Sequence, residues 1–437
     1  MTVATPPSPS CALPPDSPLA LARAGLDACV HCGFCLQACP TYLALGDEND
    51  SPRGRLVLMR ALVDGTLDLS DPDAGTHIDR CLGCRACETA CPSGVPYGHL
   101  LEATRATMAR DRPIPAVARL ILRVFATPLL LSAALFLARV ARATGLPALL
   151  ARLPGRPGFA SAMLASTARP TGLPANTYTA RPATAPRGRT AILQGCVMDG
   201  LFGPTNDATT RTLTVNGYTV LNAPGQRCCG ALHAHAGDLH GARALARANV
   251  AAFERAGVDF VAVNAAGCGA MIKEYGHLLH DDPAWSARAA AVSARARDVS
   301  ELLAAAGPVT GAPLGAAVPA PVTCDMPCHL QHAQRIVDPP MAVLRAIPGL
   351  DFVPLTDSDQ CCGSAGIYNL IEPDLSDAVL RPKLARIAET GAQLVATGNP
   401  GCLMQIGAGL RRAGSTARAV HPIDLLDASY AARSFQV

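Results

Sequence analysis

Aromatic residues are scarce: the 437-residue chain carries 4% Phe, Trp and Tyr, with a single Trp, and only 16% charged residues. Sandwiches of β-strands draw on aromatic side chains to fill their faces. The shortage, beside an alanine-rich hydrophobic share of 49%, favours helical and α/β packing. Long apolar runs are missing too. The longest uncharged one, residues 124–138, contains Pro128 and is flanked by Arg123 and Arg139. A bilayer-spanning helix needs roughly 18 or more such residues, so no transmembrane segment is expected. No basic stretch followed by an apolar one opens the chain, so export is not expected and the cytoplasm is the expected compartment. Neither a G-x-G-x-x-G loop nor a P-loop Gly-Lys-Ser/Thr occurs, so no nicotinamide or flavin is expected on this chain. The net charge of +3 singles out no partner and gives no reason to expect nucleic acid.

One absence is local. Residues 112–198 hold eleven arginines and no Lys, Asp or Glu. In the first half Arg119, Arg123, Arg139 and Arg142 recur at helical spacings among Leu, Ala and Val, which predicts short amphipathic helices broken up at Pro128 and Pro147. Residues 170–189 are rich in Pro, Ala and Thr and read as a linker. A solvated basic face and a docking surface for an acidic partner or an anionic membrane both fit this charge pattern. The hypothesis that those four arginines dock the chain rests on the single sign of the charge.

Cysteine is abundant, with 18 in the chain. In a long chain without an export signal, clustered cysteines point to metal or redox chemistry rather than to disulfides. They divide the sequence into a mobile lead-in (1–22), a segment with eight cysteines (23–110), the basic helical segment and linker (111–188), and two cysteine-rich modules (189–310 and 311–437).

The first eight form two identical runs, Cys29-x2-Cys32-x2-Cys35-x3-Cys39-Pro40 and Cys81-x2-Cys84-x2-Cys87-x3-Cys91-Pro92. This is the spacing of bacterial two-cluster ferredoxins. Three cysteines at steps of three wrap one cluster from a single loop, while the fourth, a turn further on, faces the other way. Cys29, Cys32, Cys35 and Cys91 are therefore expected to share one [4Fe–4S] cluster, and Cys81, Cys84, Cys87 and Cys39 the other. Zinc is the competing reading, but a zinc site uses four thiolates, usually as two C-x2-C pairs, and has no need of two complete runs ending in Cys-Pro. The 41 residues between the runs, with a helix expected over residues 53–62, predict a mostly helical ferredoxin-like domain.

The later cysteines repeat. Cys196, the pair Cys228–Cys229 and Cys268 recur at matching gaps as Cys328, the pair Cys361–Cys362 and Cys402, and each pair runs into Gly230 or Gly363. Two tandem copies of one unit are expected. Strands over residues 190–194, 257–264, 320–323 and 391–397 end just before cysteines, with helices over 240–256 and 375–390, so each copy is expected to be an α/β module with cysteines at strand C-terminal ends. The overall class is α+β and multidomain. The eight later cysteines are candidates for a further cluster, for buried small hydrophobes, or for a strained redox disulfide. Cys11 and Cys324 fit neither pattern. His329 and His332 are candidates to bond a cluster thiolate, and His233-x-His235 is the nearest thing to a histidine ligand pair.

Taken together, Cys29-Val-His-Cys-Gly-Phe-Cys-Leu-Gln-Ala-Cys-Pro-Thr-Tyr42, Ser51-Pro-Arg-Gly-Arg55, Asp79-Arg-Cys-Leu-Gly-Cys-Arg-Ala-Cys-Glu-Thr-Ala-Cys-Pro-Ser-Gly-Val95, Lys273-Glu-Tyr-Gly276, Pro327-Cys-His-Leu-Gln-His-Ala-Gln334 and Cys361-Cys-Gly-Ser-Ala-Gly366 resemble the iron–sulfur subunit of glycolate oxidase (glycolate dehydrogenase). The resemblance implies an electron-transfer subunit, not itself catalytic. An FAD-bearing subunit would oxidise glycolate to glyoxylate, a second flavoprotein-like subunit would accompany it, and electrons would pass on to membrane quinone. A peripheral seat on the inner face of the cell membrane is an expectation from the basic segment's charge, beside the cytoplasmic reading. The second half is similar to heterodisulfide reductase, in which CCG modules bind an unusual cluster with an additional C-x-x-C cysteine. Here Met271 and Gln405 stand at those positions, which counts against such a cluster and against a disulfide-breaking reductase. Equivalent subunits for glycerol-3-phosphate or lactate oxidation share the layout.

Overall fold

The computed structural model describes residues 13–168, 186–307, 318 and 320–431; Cys11 lies outside them. Part of the expected lead-in is seated rather than mobile. Ser17 caps the turn Pro18–Leu21, Leu19 is buried, and the Leu19 N–H donates to Thr107 Oγ1 at 3.0 Å.

The segment carrying the two cysteine runs is helical, as expected. Helix Pro52–Val63 is opened by a proline and capped by Ser51, whose Oγ accepts from Gly54 N at 3.0 Å. Leu56, Met59 and Leu62 recur on its buried face and join Leu26, Ile78, Leu100 and Met108 in one core that includes Cys81 and Cys87. Position 54 must be glycine on steric grounds, because a Cβ there would collide with the Glu48 carbonyl.

The second half is duplicated. Strands β1 (Gly188–Ile192), β2 (Tyr218–Leu221), β3 (Phe260–Val263) and β4 (Ala296–Asp298) form a parallel sheet in the order β2-β1-β3-β4. Strands β5 (Val322–Cys324), β6 (Leu394–Ala396) and β7 (Arg418–Val420) form a second parallel sheet in that order. A parallel bridge from Val322 to Phe352 stands where β2 stands in the first sheet, and Pro348 and Pro354 on either side confine it to a bridge. The expected strands correspond to β1, β3, β5 and β6. The two copies are not separate bodies. Leu213, Tyr218 and Val299 share one core with Leu344, Leu394 and Ile423. Helix Val197–Val215 lies against helix Pro422–Tyr430, tied by an Arg211–Asp427 ion pair at 2.7 Å.

Between these halves, the basic segment folds as helices Ala116–Ala126, Pro128–Ala143 and Leu146–Leu150. The helices break at Pro128 and Pro147 as expected, each proline standing in the first turn of the next helix. The first two helices meet at 101°, and no single helix among the described residues is long and apolar enough to cross a membrane. Helix Pro128–Ala143 has no buried residue. Leu129, Phe136, Leu137 and Val140 stand exposed beside Val117 and Leu120 of the preceding helix. Of the four arginines expected on a docking face, Arg142 turns inward, while Arg139 stays exposed although it bonds a backbone carbonyl. Arg142 donates to the carbonyls of Thr167 at 2.8 Å and Leu201 at 3.1 Å, and Arg139 to that of Gly200 at 3.4 Å. Arg119 and Arg123 remain exposed.

Candidate metal centres

Both runs turn at the same two places. In the first, His31 (φ 55°) and Gly33 (φ 87°) are left-handed; in the second, Gly83 (φ 62°) and Arg85 (φ 63°) are. These are the third and fifth residues of each run, with glycine and side chain exchanged. Left-handed turns of this kind gather backbone N–H groups into a concavity that suits an anion, and Gly83 N donates to Cys81 Sγ at 3.5 Å. Arg85 carries its strained backbone because Glu88 at 2.9 Å and Glu274 at 3.0 Å hold its guanidinium.

Cys29, Cys32, Cys35 and Cys91 line one small cavity together with Arg53, Leu56 and Tyr97, and Cys87 of the second run reaches the same cavity. Cys39 lies between the two groups: with Cys84 and Cys81 it acts on the buried Cys87 thiol, and with Cys29 it acts on Cys35. The two sets differ in exposure. Cys32 is exposed and Cys29, Cys35 and Cys91 half-buried, whereas Cys39, Cys81, Cys84 and Cys87 are buried. Burial pushes the Cys84 and Cys87 thiols well up, so thiolates there need a cation to replace lost water. Among the described residues no three cysteine sulfurs lie within 4.8 Å of one another. A tetrahedral zinc site, with Zn–S near 2.3 Å, needs sulfurs roughly 3.8 Å apart. The donors are therefore spread too widely for one metal ion and suit a larger inorganic core.

A polar group beside the buried set escaped the sequence reading. Arg55 is fully buried and bonds Asp50 at 3.0 Å, the His77 carbonyl at 2.6 Å and Thr41 Oγ1 at 3.1 Å. Burial opposes its charge, but Cys81, Tyr97, Cys39 and Asp50 outweigh that and keep the guanidinium cationic. Thr41 Oγ1 lies 3.2 Å from Cys39 Sγ, and Tyr97 OH donates to Cys81 Sγ at 3.6 Å. The Ser51-Pro-Arg-Gly-Arg55 motif was the available signal: it places Arg53 at the exposed set and Arg55 at the buried one.

The later cysteines converge as two matching chains of thiols. Cys196 Sγ is 3.6 Å from Cys228 Sγ, and Cys229 bonds both Cys228 and Cys268. Cys361 bonds Cys328 and Cys362, and Cys362 Sγ is 3.3 Å from Cys402 Sγ. In each chain the first cysteine of the pair is held well below its usual range. Bonds from Cys196 and Cys229 do this for Cys228, and bonds from Cys328 and Cys362 for Cys361, with a glycine N–H adding to each. Every cysteine among the described residues is a free thiol. Cys324 stays apart in β5, and burial pushes its thiol up to about 12.

Met271 is buried without a polar contact to these chains. Gln405 is bound into a network, accepting from Asn369 Nδ2 at 2.8 Å and donating to Ser376 Oγ at 2.9 Å. His332, a candidate thiolate partner, instead bridges Thr89 Oγ1 at 2.9 Å and the Asp359 carbonyl at 3.2 Å. His329 stacks on His235, with ring centroids 5.6 Å apart, and burial pushes its imidazole down to about 4. His235 Nδ1 meets Glu102 at 3.1 Å, and His233 is buried.

The buried ferredoxin set abuts the second module. Cys84, Leu82 and Ala86 share one packed group with Cys361 and Tyr368, and Cys328 packs against it. The two modules also touch through Asn399, whose Oδ1 accepts from Gly267 N at 3.2 Å and whose Nδ2 donates to Cys402 Sγ at 3.4 Å.

These sites fall within matched family models. Residues 25–95 match a 4Fe-4S dicluster domain, and residues 190–273 and 322–407 match a cysteine-rich domain. The chain is 39% identical over 413 residues to the probable glycolate oxidase iron-sulfur subunit of Bacillus subtilis (strain 168), covering 91% of this chain and 92% of that one. It is 36% identical over 387 residues to the glycolate oxidase iron-sulfur subunit of Escherichia coli (strain K12), covering 86% and 88%. Lactate utilization protein A of Oceanobacillus iheyensis matches at 29% over 53% of this chain and 93% of its own length. With such identity across nearly its whole length and the cysteines gathered as described, the chain belongs to the family of glycolate oxidase iron–sulfur subunits.

Proposed function

We propose that this subunit carries electrons one at a time from a flavoprotein partner that oxidises glycolate to glyoxylate, and delivers them to membrane quinone. The observation that carries the reading is the order of the thiol sets. An exposed set (Cys29, Cys32, Cys35, Cys91) is followed by a buried one (Cys39, Cys81, Cys84, Cys87), which packs against Cys361 and Cys328 of the second module. Two [4Fe–4S] clusters on these sets supply one-electron relay chemistry. The protein's own part is positional. Val30 and Phe34 stand exposed around Cys32, a surface on which a flavoprotein can seat. Arg55 offsets negative charge at the inner set, Tyr97 and Gly83 donate to Cys81 Sγ, and burial keeps water away. The later cysteines are candidates for a further cluster. A peripheral seat on an anionic membrane face is supported by the exposed Leu, Phe and Arg side chains of residues 116–143.

Anaerobic purification with iron and sulfide analysis tests the cofactor content. About eight irons per chain are expected if only the ferredoxin sets are loaded. Twelve or more would assign a cluster to the modules, and stoichiometric zinc with little iron would overturn the reading. Mixing the subunit with its flavoprotein partner and either glycolate or lactate, and following iron reduction, decides the substrate. Glycolate is expected, since relatives named for lactate align with only about half of the chain.

A further inference from the structure

A cleft of about 300 Å³ opens between the ferredoxin-like domain, the root of the basic helices and both modules. One wall is Cys81-Leu82, so the cleft touches the loop of the buried cysteine set. Most of the rest is apolar: Met108, Ile114, Ala118, Leu232, Ile367 and Ile371. Polar groups line it as well, among them the Glu372 carboxylate and the Arg105 guanidinium. Arg112, paired with Asp79 at 2.9 Å, is half-exposed at one edge. His235 lines it with Nδ1 held by Glu102, leaving Nε2 as the ring's second polar atom. Tyr368 lines it with its hydroxyl bonded to the Arg80 carbonyl at 2.9 Å.

The shape is pinned rather than incidental. Arg105 donates to the carbonyls of Ile78 at 3.0 Å, Cys81 at 2.7 Å and His235 at 2.9 Å, so one guanidinium holds the cysteine loop against the first module. Ala118, on the cleft wall, sits on the same helix as the exposed Val117, Leu120, Arg119 and Arg123. The cleft thus adjoins the one region whose surface is apolar and cationic without acid.

We propose that this cleft binds a lipid-soluble quinone. An apolar slot near the lower end of the roughly 300–1,000 Å³ usual for small-molecule sites takes a flat ring, and donors at its edges suit ring carbonyls. A wall made by a redox-site loop calls for an occupant that accepts electrons. Entry beside apolar helices calls for one that partitions into lipid. The inference rests on the electron-carrying role proposed above. In the cleft one quinone takes two electrons, delivered singly from reduced iron–sulfur centres of this chain, and two protons from water at the open edge, giving one quinol.

The test uses the full-length, cluster-loaded protein and a short-chain naphthoquinone, with a photoreactive azido analogue as the label. Light-driven labelling should fall on residues 108–118, 232–236 or 367–371 and be competed by excess plain naphthoquinone. Ile367→Trp, which fills the slot, should cut labelling about tenfold. It should also slow naphthoquinone reoxidation of dithionite-reduced protein by a similar factor, while reoxidation by hexacyanoferrate and iron content stay unchanged. Labelling elsewhere, or a filled cleft that leaves labelling and reoxidation intact, overturns the proposal. So does capture of the cleft by a loop of the flavoprotein, seen as protection by that subunit with no effect of naphthoquinone. Neither labelling nor dithionite reduction needs the partner. Failure of glycolate and flavoprotein to reduce the iron would therefore sink the electron-source reading while leaving the cleft to be judged separately.

Discussion

Asp50 and Arg55 form an ion pair at 3.0 Å in which neither side chain has any exposure. Asp50 also meets Arg80 at 3.1 Å and His77 at 3.2 Å, so one carboxylate anchors three basic groups beside the buried cysteines. Removing one partner of a buried pair leaves an uncompensated charge, which costs about 3–5 kcal/mol. Asp50→Asn should lower the unfolding midpoint in urea accordingly and lose iron from the inner set first. An unchanged midpoint would mean that Arg55 finds its neutralisation elsewhere.

Crossed ligation is the expectation from the spacing of the two runs, and Cys91 does share a cavity with Cys29, Cys32 and Cys35. Cys39→Ser should perturb the electron paramagnetic resonance signal of the cluster held by Cys81, Cys84 and Cys87, and Cys91→Ser the other one. Signals that change within the mutated run alone would reverse the assignment.

Arg119 and Arg123 of the basic helices are exposed and placed to meet an outside partner. A cationic side chain near an anionic bilayer contributes about 1 kcal/mol, so losing two should lower the partition coefficient roughly thirtyfold. Arg119→Gln with Arg123→Gln should therefore weaken co-sedimentation with phosphatidylglycerol vesicles at low salt, and the gap should narrow as salt screens the charge. Arg142→Gln should instead destabilise the packing of its helix, by about 1–3 kcal/mol for lost charged hydrogen bonds, without a binding deficit of the same salt dependence. Equal binding by the double variant and the parent would make this face a solvated spacer.

The ferredoxin-like domain and the first module are joined by Glu274, which meets His99 at 2.8 Å and Arg85 at 3.0 Å. Burial works against the Glu274 charge, but the bonds from His99 and Arg85 hold its carboxyl down at about 2. The bond to Glu274 raises the His99 imidazole above its ordinary value, against burial and Arg85, and His277, stacked on it at 3.9 Å, is held below its ordinary value chiefly by burial. The His99 contribution is fully present below about 6.5 and is lost as pH rises through its raised value. The Glu274 contribution is present above about 4.3 and fades only as pH falls toward 2. Thermal melts should show stability falling by about 1 kcal/mol between pH 6 and 8.5, and His99→Gln should flatten that slope. A slope unchanged in the variant would locate the titration elsewhere.

The sequence was most legible where chemistry fixes spacing. The two C-x2-C-x2-C-x3-C-P runs and the repeated Cys-Cys-Gly pairs named every thiol that the fold gathers. Strands β1, β3, β5 and β6 were readable because each runs apolar up to a cysteine. β2, β4 and β7 were not: no cysteine closes them, and the charged residues of Ala296-Arg-Asp298 and Arg418-Ala-Val420 hide short edge strands that form only against a central neighbour. The buried Arg55–Asp50 pair was missed because exposed and buried arginines look alike in sequence. The contact of Cys84 with Cys361 was missed because spacing within each motif is silent about distance between motifs.

The shared core of the two modules sets an order of assembly. Helix Val197–Val215, which follows directly on Cys196, completes its packing only against Pro422–Tyr430, a segment that leaves the ribosome long after the first module's cysteines have been made. Cys228 and Cys229 lie in the first module's own core, so what waits for the second copy is the outer face of that helix and not the thiols. The duplication thus makes the final packing of the first module depend on the last part of the second.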